Sequence, residues 1–271
     1  MFRITAGRRH PLARYAVLLF ALVLAGSVYT LTALGDQSAD AAIATGKVDD
    51  VAEGEKLFEA HCMSCHGTDA VGTAAGPTLV GVGAAAVDFQ MSSGRMPAAT
   101  YSGAQALRKP LPEWVTPEKI RQIGAYVQSL GGGPTVPTKA DVSTEGADMA
   151  KGGELFRANC ISCHNWVGAG GALTEGKFAP PLNEATPEQI YEAMITGPQA
   201  MPVFNDSVIS PQEKRDMIAY IVGVRNQTDP GGFGLGRIGP VTEGLVAWIA
   251  GISALALAAI WITAKKRQTN D

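Results

Sequence analysis

The feature that most constrains this chain of 271 residues is Cys62-Met63-Ser64-Cys65-His66, which recurs 98 residues later as Cys160-Ile161-Ser162-Cys163-His164. Covalent attachment of a c-type haem requires two thiols three apart with a histidine directly after the second. Each thiol adds across one vinyl group of the porphyrin, and on a helical turn the histidine meets the iron from the proximal side. The two motifs use all four cysteines, so none remains for a disulfide. A zinc ribbon would place its second CxxC about 15–20 residues after the first, far closer than Cys160 stands to Cys65. A thioredoxin-like redox pair would need a βαβ setting, which neither site has.

The flanks repeat as well as the motifs. Glu53-Gly54-Glu55-Lys56-Leu57-Phe58 answers Lys151-Gly152-Gly153-Glu154-Leu155-Phe156, Pro77 and Leu79 answer Pro180 and Leu182, and Met96-Pro97 answers Met201-Pro202. In the first copy residues 53–60 read as a helix entering the motif. The Gly/Ala-rich stretch after His66 reads as a loop along one haem edge. Thr116 as N-cap, Pro117 at the first helical position, and Ile120, Ile123, Tyr126, Val127 and Leu130 at helical spacing predict a closing helix. Ser210, Pro211 and a capping-box Glu213 repeat that signal in the second copy. Two domains of this size have thin cores, and a buried haem supplies much of the missing apolar volume.

Both ends are apolar with basic flanks. Arg3, Arg8, Arg9 and Arg14 precede an uncharged run over residues 15–34, long enough to cross a hydrocarbon core of ~30 Å as a helix. Its positive flank belongs in the cytoplasm. A cleaved signal peptide ending near Ala39-Asp40-Ala41 is the rival, and the length of the run favours a retained anchor. At the other end the uncharged run 244–264 stops at Lys265-Lys266-Arg267, with Trp248 and Trp261 near its ends as interface anchors. Between these ends, residues 36–240 hold 15 Lys and Arg against 23 Asp and Glu, an acidic balance that offers nothing to nucleic acid.

The expected fold class is therefore all-α: two tandem cytochrome c domains flanked by N- and C-terminal transmembrane helices. The expected boundaries are an N-terminal transmembrane helix over 1–35, a tether over 36–50, a first haem domain over 51–133, a linker over 134–148, a second haem domain over 149–228, a Gly-rich linker over 229–240, and a C-terminal transmembrane helix with a basic cytoplasmic tail over 241–271.

Whether such a protein is an enzyme or a carrier turns on the sixth iron ligand. Of four histidines, His66 and His164 are proximal, His10 lies before the first apolar run, and His61 abuts Cys62 and cannot readily cross the haem plane. That argues against bis-histidine ligation. Methionine is the alternative, with Met91 and Met96 competing in the first domain and Met194 and Met201 in the second. Met91 and Met194 stand at helical positions three residues before a glycine and read as core. Met96 and Met201 each precede a proline, which denies helix and suits a loop laid over the distal face, so they are the expected axial ligands.

Each half resembles a class I cytochrome c, which implies that Gly54 with Phe58, and Gly152 with Phe156, lie where the entry helix crosses the closing helix carrying Tyr126 or Tyr220. Over its whole length the chain resembles the dihaem cytochrome c subunits (cytochrome cc) of actinobacterial cytochrome bc complexes. Gly94-Arg95-Met96-Pro97-Ala98, Gln105-Ala106-Leu107-Arg108-Lys109-Pro110 and the stretches Asp229–Gly236 and Gly239–Trp248 carry that resemblance. It implies two covalently bound haem c groups, through Cys62 and Cys65 and through Cys160 and Cys163, with iron ligands His66 and Met96, and His164 and Met201. The two apolar runs with their basic flanks predict a multi-pass cell-membrane protein with cytoplasmic termini, haem domains outside, and membrane lipid around its spans.

The partners that the resemblance implies are a Rieske iron–sulfur subunit as donor, cytochrome b as neighbour, and the copper centre of an aa-type oxidase as acceptor, with no nucleic acid. The chain is expected to act as the electron-transfer subunit of a quinol:cytochrome c oxidoreductase, with neither a catalytic site nor a small-molecule substrate of its own. The alternatives are a dihaem subunit of another oxidase or of a periplasmic dehydrogenase, and a dihaem peroxidase with one open iron. Arg108-Lys109 reads as a solvated basic pair, with a partner or a haem propionate as other contacts.

Overall fold

A computed structural model describes residues 15, 19–23, 48–98, 105–228, 235 and 240–268. The chain divides into two compact units, Met1–Ala52 and Glu53–Asp271, and both haem motifs fall in the second. In the first unit residues 15 and 19–23 are helical.

The two halves repeat one sequence of elements. In the first, helix α1 (Val48–His61) runs into the single turn α2 (Met63–His66), followed by α3 (Ala84–Ser92) and α4 (Pro117–Ser129). In the second, α5 (Met149–Asn159) leads into the turn α6 (Ile161–His164), then α7 (Pro187–Thr196) and α8 (Pro211–Arg225). The helix starts obey local chemistry. Thr116 accepts from the Lys119 amide with Pro117 in the first turn, and Asp148 accepts from the amides of Ala150 and Lys151. Thr186 with Gln189, and Ser210 with Glu213, form reciprocal capping boxes. Helix α7 stops at Gly197, whose left-handed backbone suits glycine.

Entry and closing helices cross at glycine in both halves. A Cβ on Gly54 would strike the carbonyl of Gln122, and one on Gly152 the carbonyl of Asp216. The approach is sealed by tilted aromatic pairs, Phe58 with Tyr126 at 5.3 Å between ring centres and Phe156 with Tyr220 at 5.4 Å. The core of the second half gathers Phe156, Ile190, Met194, Met217 and Ile218, and it also takes in Val142 from the segment before α5. That segment is built rather than free: Asp141 accepts from the amide and hydroxyl of Thr138, and the Asp148 amide donates to Asp216 at 2.9 Å.

The halves join through α3 packed on α7. The Gln189 amide group donates to the Ser92 hydroxyl at 3.1 Å, and Arg108 reaches Glu184 at 3.3 Å. Glu192 on α7 is fully buried there, with neither oxygen meeting a hydrogen-bond partner at good geometry. Burial first, then the charge and proximity of Asp88 on α3, then Glu188, push its pKa up to about 9, so it is protonated at neutral pH.

The described residues are mostly helical, as the all-α expectation requires; the one small sheet among them pairs β1 (Gly171–Ala172) antiparallel with β2 (Phe178–Ala179). Gly170 and Gly176, both at positive φ, break helix there and let the backbone pair instead. The expected pair of flanking spans is corrected to one: among the described residues one helix is long and apolar enough to cross a membrane, Thr242–Ala264 within α9 (Pro240–Gln268), with mean hydropathy 2.3. Its 23 residues rise ~34 Å, enough for the hydrocarbon core. Of the run 15–34 the described helical residues are too few for a crossing, and the remainder lies outside the described residues. The multi-pass arrangement with both termini cytoplasmic, which rested on that span, loses its support.

Candidate haem sites

Each motif is a tight turn grafted onto the end of an entry helix. The Cys62 amide donates to the Phe58 carbonyl at 2.7 Å and the His66 amide to the Cys62 carbonyl at 2.9 Å; the second half repeats these with Cys160 to Phe156 at 2.8 Å and His164 to Cys160 at 2.8 Å. The turn then ends on a positive φ, at Gly67 and at Asn165, which throws the next loop across the motif. In the first half that loop is fastened by the Thr73 hydroxyl, which donates to the Cys65 carbonyl at 2.6 Å.

The loop orients the histidine. Nδ1 of His66 lies 2.8 Å from the Pro77 carbonyl, and Nδ1 of His164 lies 3.1 Å from the Pro180 carbonyl. A carbonyl oxygen only accepts, so Nδ1 carries the hydrogen and Nε2 keeps a free lone pair, the form in which imidazole binds a metal. Burial also holds His164 below the usual histidine range, an effect partly offset by the bond to the Pro180 carbonyl. Burial, with a smaller contribution from the neighbouring thiol, pushes Cys62 up to about 11 and Cys160 up to about 12. None of the four cysteines is in a disulfide.

The methionines separate as two pairs. Met91 and Met194 are buried on α3 and α7, whereas Met96 and Met201 are half-buried on the loops that follow those helices. Before Met96 the chain is folded back on one acceptor, the Gln90 carbonyl, which takes the amides of both Arg95 and Met96 at 2.9 Å. The Lys109 amide donates to Gly94 at 2.9 Å. The Met201 loop is tied differently: the Phe204 amide donates to Met194 at 2.7 Å, and fully buried Lys214 donates to Asp206 at 2.6 Å and to the Ile209 carbonyl at 2.7 Å. His61 stacks on Trp114 at 3.9 Å, which commits its ring outside either motif.

In the second half a cleft of about 1120 Å³, mouth included, brings Cys160, Cys163, His164 and Met201 together. Its remaining walls are chiefly apolar, with Phe156, Leu182, Ile190 and Phe204 among them. Two thiols, an imidazole with a free Nε2 and a thioether around one apolar cleft are the donor set and surroundings that a c-type haem needs, so the residues fit the group. In the first half Cys62, Cys65 and His66 share one turn with matching hydrogen bonds, and Met96 lies on the loop after α3. Four residues of the second cleft, Phe89, Arg95, Gln105 and Arg108, come from the first half. The sequence carries no signal for this beyond the basic pair at 108–109. The roles of the Pro77 and Pro180 carbonyls were signalled only by the matching positions of these prolines in the repeat.

Comparison with known proteins follows this division. Residues 51–131 match the family described as Cytochrome c, and residues 147–221 match Cytochrome C oxidase, cbb3-type, subunit III. Fold and site together define a c-type cytochrome with two covalently bound haem c groups. The chain is 45% identical over 270 residues to the cytochrome bc1 complex cytochrome c subunit of Mycobacterium tuberculosis, covering 95% of this chain and 92% of that one. The corresponding subunit of Mycobacterium leprae is 43% identical over 261 residues (92% and 86% covered), and that of Corynebacterium diphtheriae 44% over 241 residues (82% and 85%). The chain belongs to the family of cytochrome bc1 complex cytochrome c subunits.

Proposed function

We propose that this chain is the membrane-anchored dihaem subunit of a respiratory, quinol-oxidising cytochrome bc complex, and that it relays electrons from the Rieske iron–sulfur centre to an aa-type terminal oxidase. The observation that carries this reading is the duplication, within one compact unit, of the same proximal site followed by a methionine loop. Bound haem supplies the one-electron chemistry. The thiols of Cys62 and Cys65, and of Cys160 and Cys163, attach the two groups. His66 and Met96 ligate the first iron, and His164 and Met201 the second. A methionine loop in each half closes both irons to substrate and disfavours an independent catalytic site on this chain.

The remaining assignments follow from the same reading. Residues 51–133 and 149–228 are the two cytochrome c domains, 134–148 the linker, 229–240 a Gly-rich connection, and 241–271 the anchor with its basic tail. Lys265-Lys266-Arg267 faces the cytoplasm and the haem domains the opposite side. Anchoring beside cytochrome b and the oxidase replaces diffusion by a high effective concentration, so no soluble shuttle is needed. The test is affinity purification through this chain in mild detergent. Co-isolation of cytochrome b, the Rieske subunit and an aa-type oxidase is expected, and recovery with a different oxidase or a dehydrogenase would overturn the assignment.

A further inference from the structure

The second haem cleft has an unusual charge balance. Apart from His164, its lining contains two formally charged side chains, Arg95 and Arg108, and no carboxylate. Both arginines belong to the first half. Arg95 is 9% exposed, and its guanidinium carbon lies 4.9 Å from the centre of the Phe89 ring. A nearly buried guanidinium carries five donors, and an aromatic face satisfies none of them by hydrogen bonding. Arg108 spends one bond on the Ser93 carbonyl at 3.3 Å and meets Glu184 at 3.3 Å, a carboxylate 72% exposed and therefore a weak partner. Gln105 fixes this strap to the second half: its amide donates to the Phe178 carbonyl at 2.7 Å and its oxygen accepts the Phe178 amide at 2.9 Å. The chain thus delivers two arginines to an apolar cleft that holds no anion of its own.

We propose that Arg95 and Arg108 of the first half are positioning residues for the second haem, binding its propionate carboxylates across the junction between the halves. Haem c carries two propionates, and two guanidiniums in one cleft wall match them in charge and in number. Arg95 directly precedes Met96, so consecutive residues serve the two haems: the thioether ligates the first and the guanidinium holds the second. The second site is complete only when the halves are docked. This inference rests on the reading of Cys160, Cys163, His164 and Met201 as a haem site.

The test is an optical redox titration of the full-length chain in detergent, comparing wild type with Arg95→Gln, Arg108→Gln and the charge-preserving Arg95→Lys. Met201→His serves to mark which of the two one-electron waves belongs to the second haem. A nearby cation disfavours the oxidised iron, so its removal lowers the potential. The expected result for Arg95→Gln is a downward shift of the second wave on the order of tenfold in the redox equilibrium, about 59 mV for one electron. The first wave stays in place, and Arg95→Lys restores most of the shift. A smaller shift of the same wave is expected for Arg108→Gln, and it decides the matter if Arg95→Gln does not accumulate. An unmoved second wave, or equal movement of both, overturns the proposal. Haem content by pyridine haemochrome separates the two claims: two haems per chain with an unmoved wave sinks the arginine assignment alone, whereas loss of haem binding on changing His164 or the cysteines is what the underlying reading requires.

Discussion

The two halves agree closely on their proximal sides and differ on their distal sides. The entry turn, the amide bonds into Phe58 or Phe156, the positive φ after the histidine and the Nδ1 bond to a proline carbonyl are the same in both, with matching bonds at 2.7 and 2.8 Å. Past the haem motif the solutions diverge: Met96 sits on a chain folded back on the Gln90 carbonyl, while Met201 sits on a loop held from below by buried Lys214. Attachment chemistry explains the contrast. Two thioether bonds and one imidazole lone pair admit a single local geometry, whereas a thioether on a loop can be presented by several backbones. The one demand on such a loop is that it be held.

That contrast can be broken at the helix crossings. Gly54→Val and Gly152→Val each drive a side chain into a backbone carbonyl that cannot rotate away. Each is expected to cost roughly 3 kcal/mol or more, read as loss of cooperative melting and of haem in the affected half. Because the two crossings are alike, the losses should be similar; a large inequality would show that the halves differ on the proximal side as well.

The next effect is expected on one distal side alone. Lys214→Ala removes the tie beneath the Met201 loop and leaves a cavity beside Tyr191, at a cost of roughly 2–4 kcal/mol. It should weaken the methionine-to-iron band of the second haem and spare the first, which near-infrared magnetic circular dichroism of the variant checks.

The junction between the halves titrates. Glu192 is raised in the folded chain to about 9 from an ordinary 4.5, so the folded state binds the proton more tightly than the unfolded one. Stability should therefore be fullest below the unfolded pKa and fall as pH rises through the window between the two values. The slope is at most about 1.4 kcal/mol per pH unit. Denaturant melts at about pH 6 and about pH 8 should show it, and Glu192→Gln should flatten it. Smallest of all, Gln105→Ala forfeits a side-chain pair to the Phe178 backbone and should lower stability by about 1 kcal/mol.

Much of the fold was legible because it is local. The haem motifs and the caps at Thr116 and Ser210 with their following prolines each lie within a few residues, and the repeat showed each of them twice; the glycine–aromatic crossings join helices far apart in sequence and came from the resemblance to class I cytochromes c. The segment at α3 and the hairpin at β1 and β2 were less legible. A run of Gly and Ala has no period to read, and a two-residue strand exists only through its partner. The same limit hid the long-range parts of the site: the charge of Arg95, the burial of Lys214 and the acid at Glu192 depend on α3 meeting α7 and on a loop folding over α8, contacts that no sequence spacing encodes. At residues 15–34 length and hydropathy alone pointed to a second span, and most of that run lies outside the described residues.

The central claim is that each iron is closed by its own histidine and methionine. The most direct test is the magnetic circular dichroism spectrum of the oxidised, full-length chain, with Met96→His and Met201→His beside it. A methionine-to-iron charge-transfer band that falls by about half in each single variant and vanishes in the double variant is the result expected if the two sites contribute equally. A band unchanged by either substitution, or a resting spectrum with one high-spin haem, would contradict it and leave that half with an open iron.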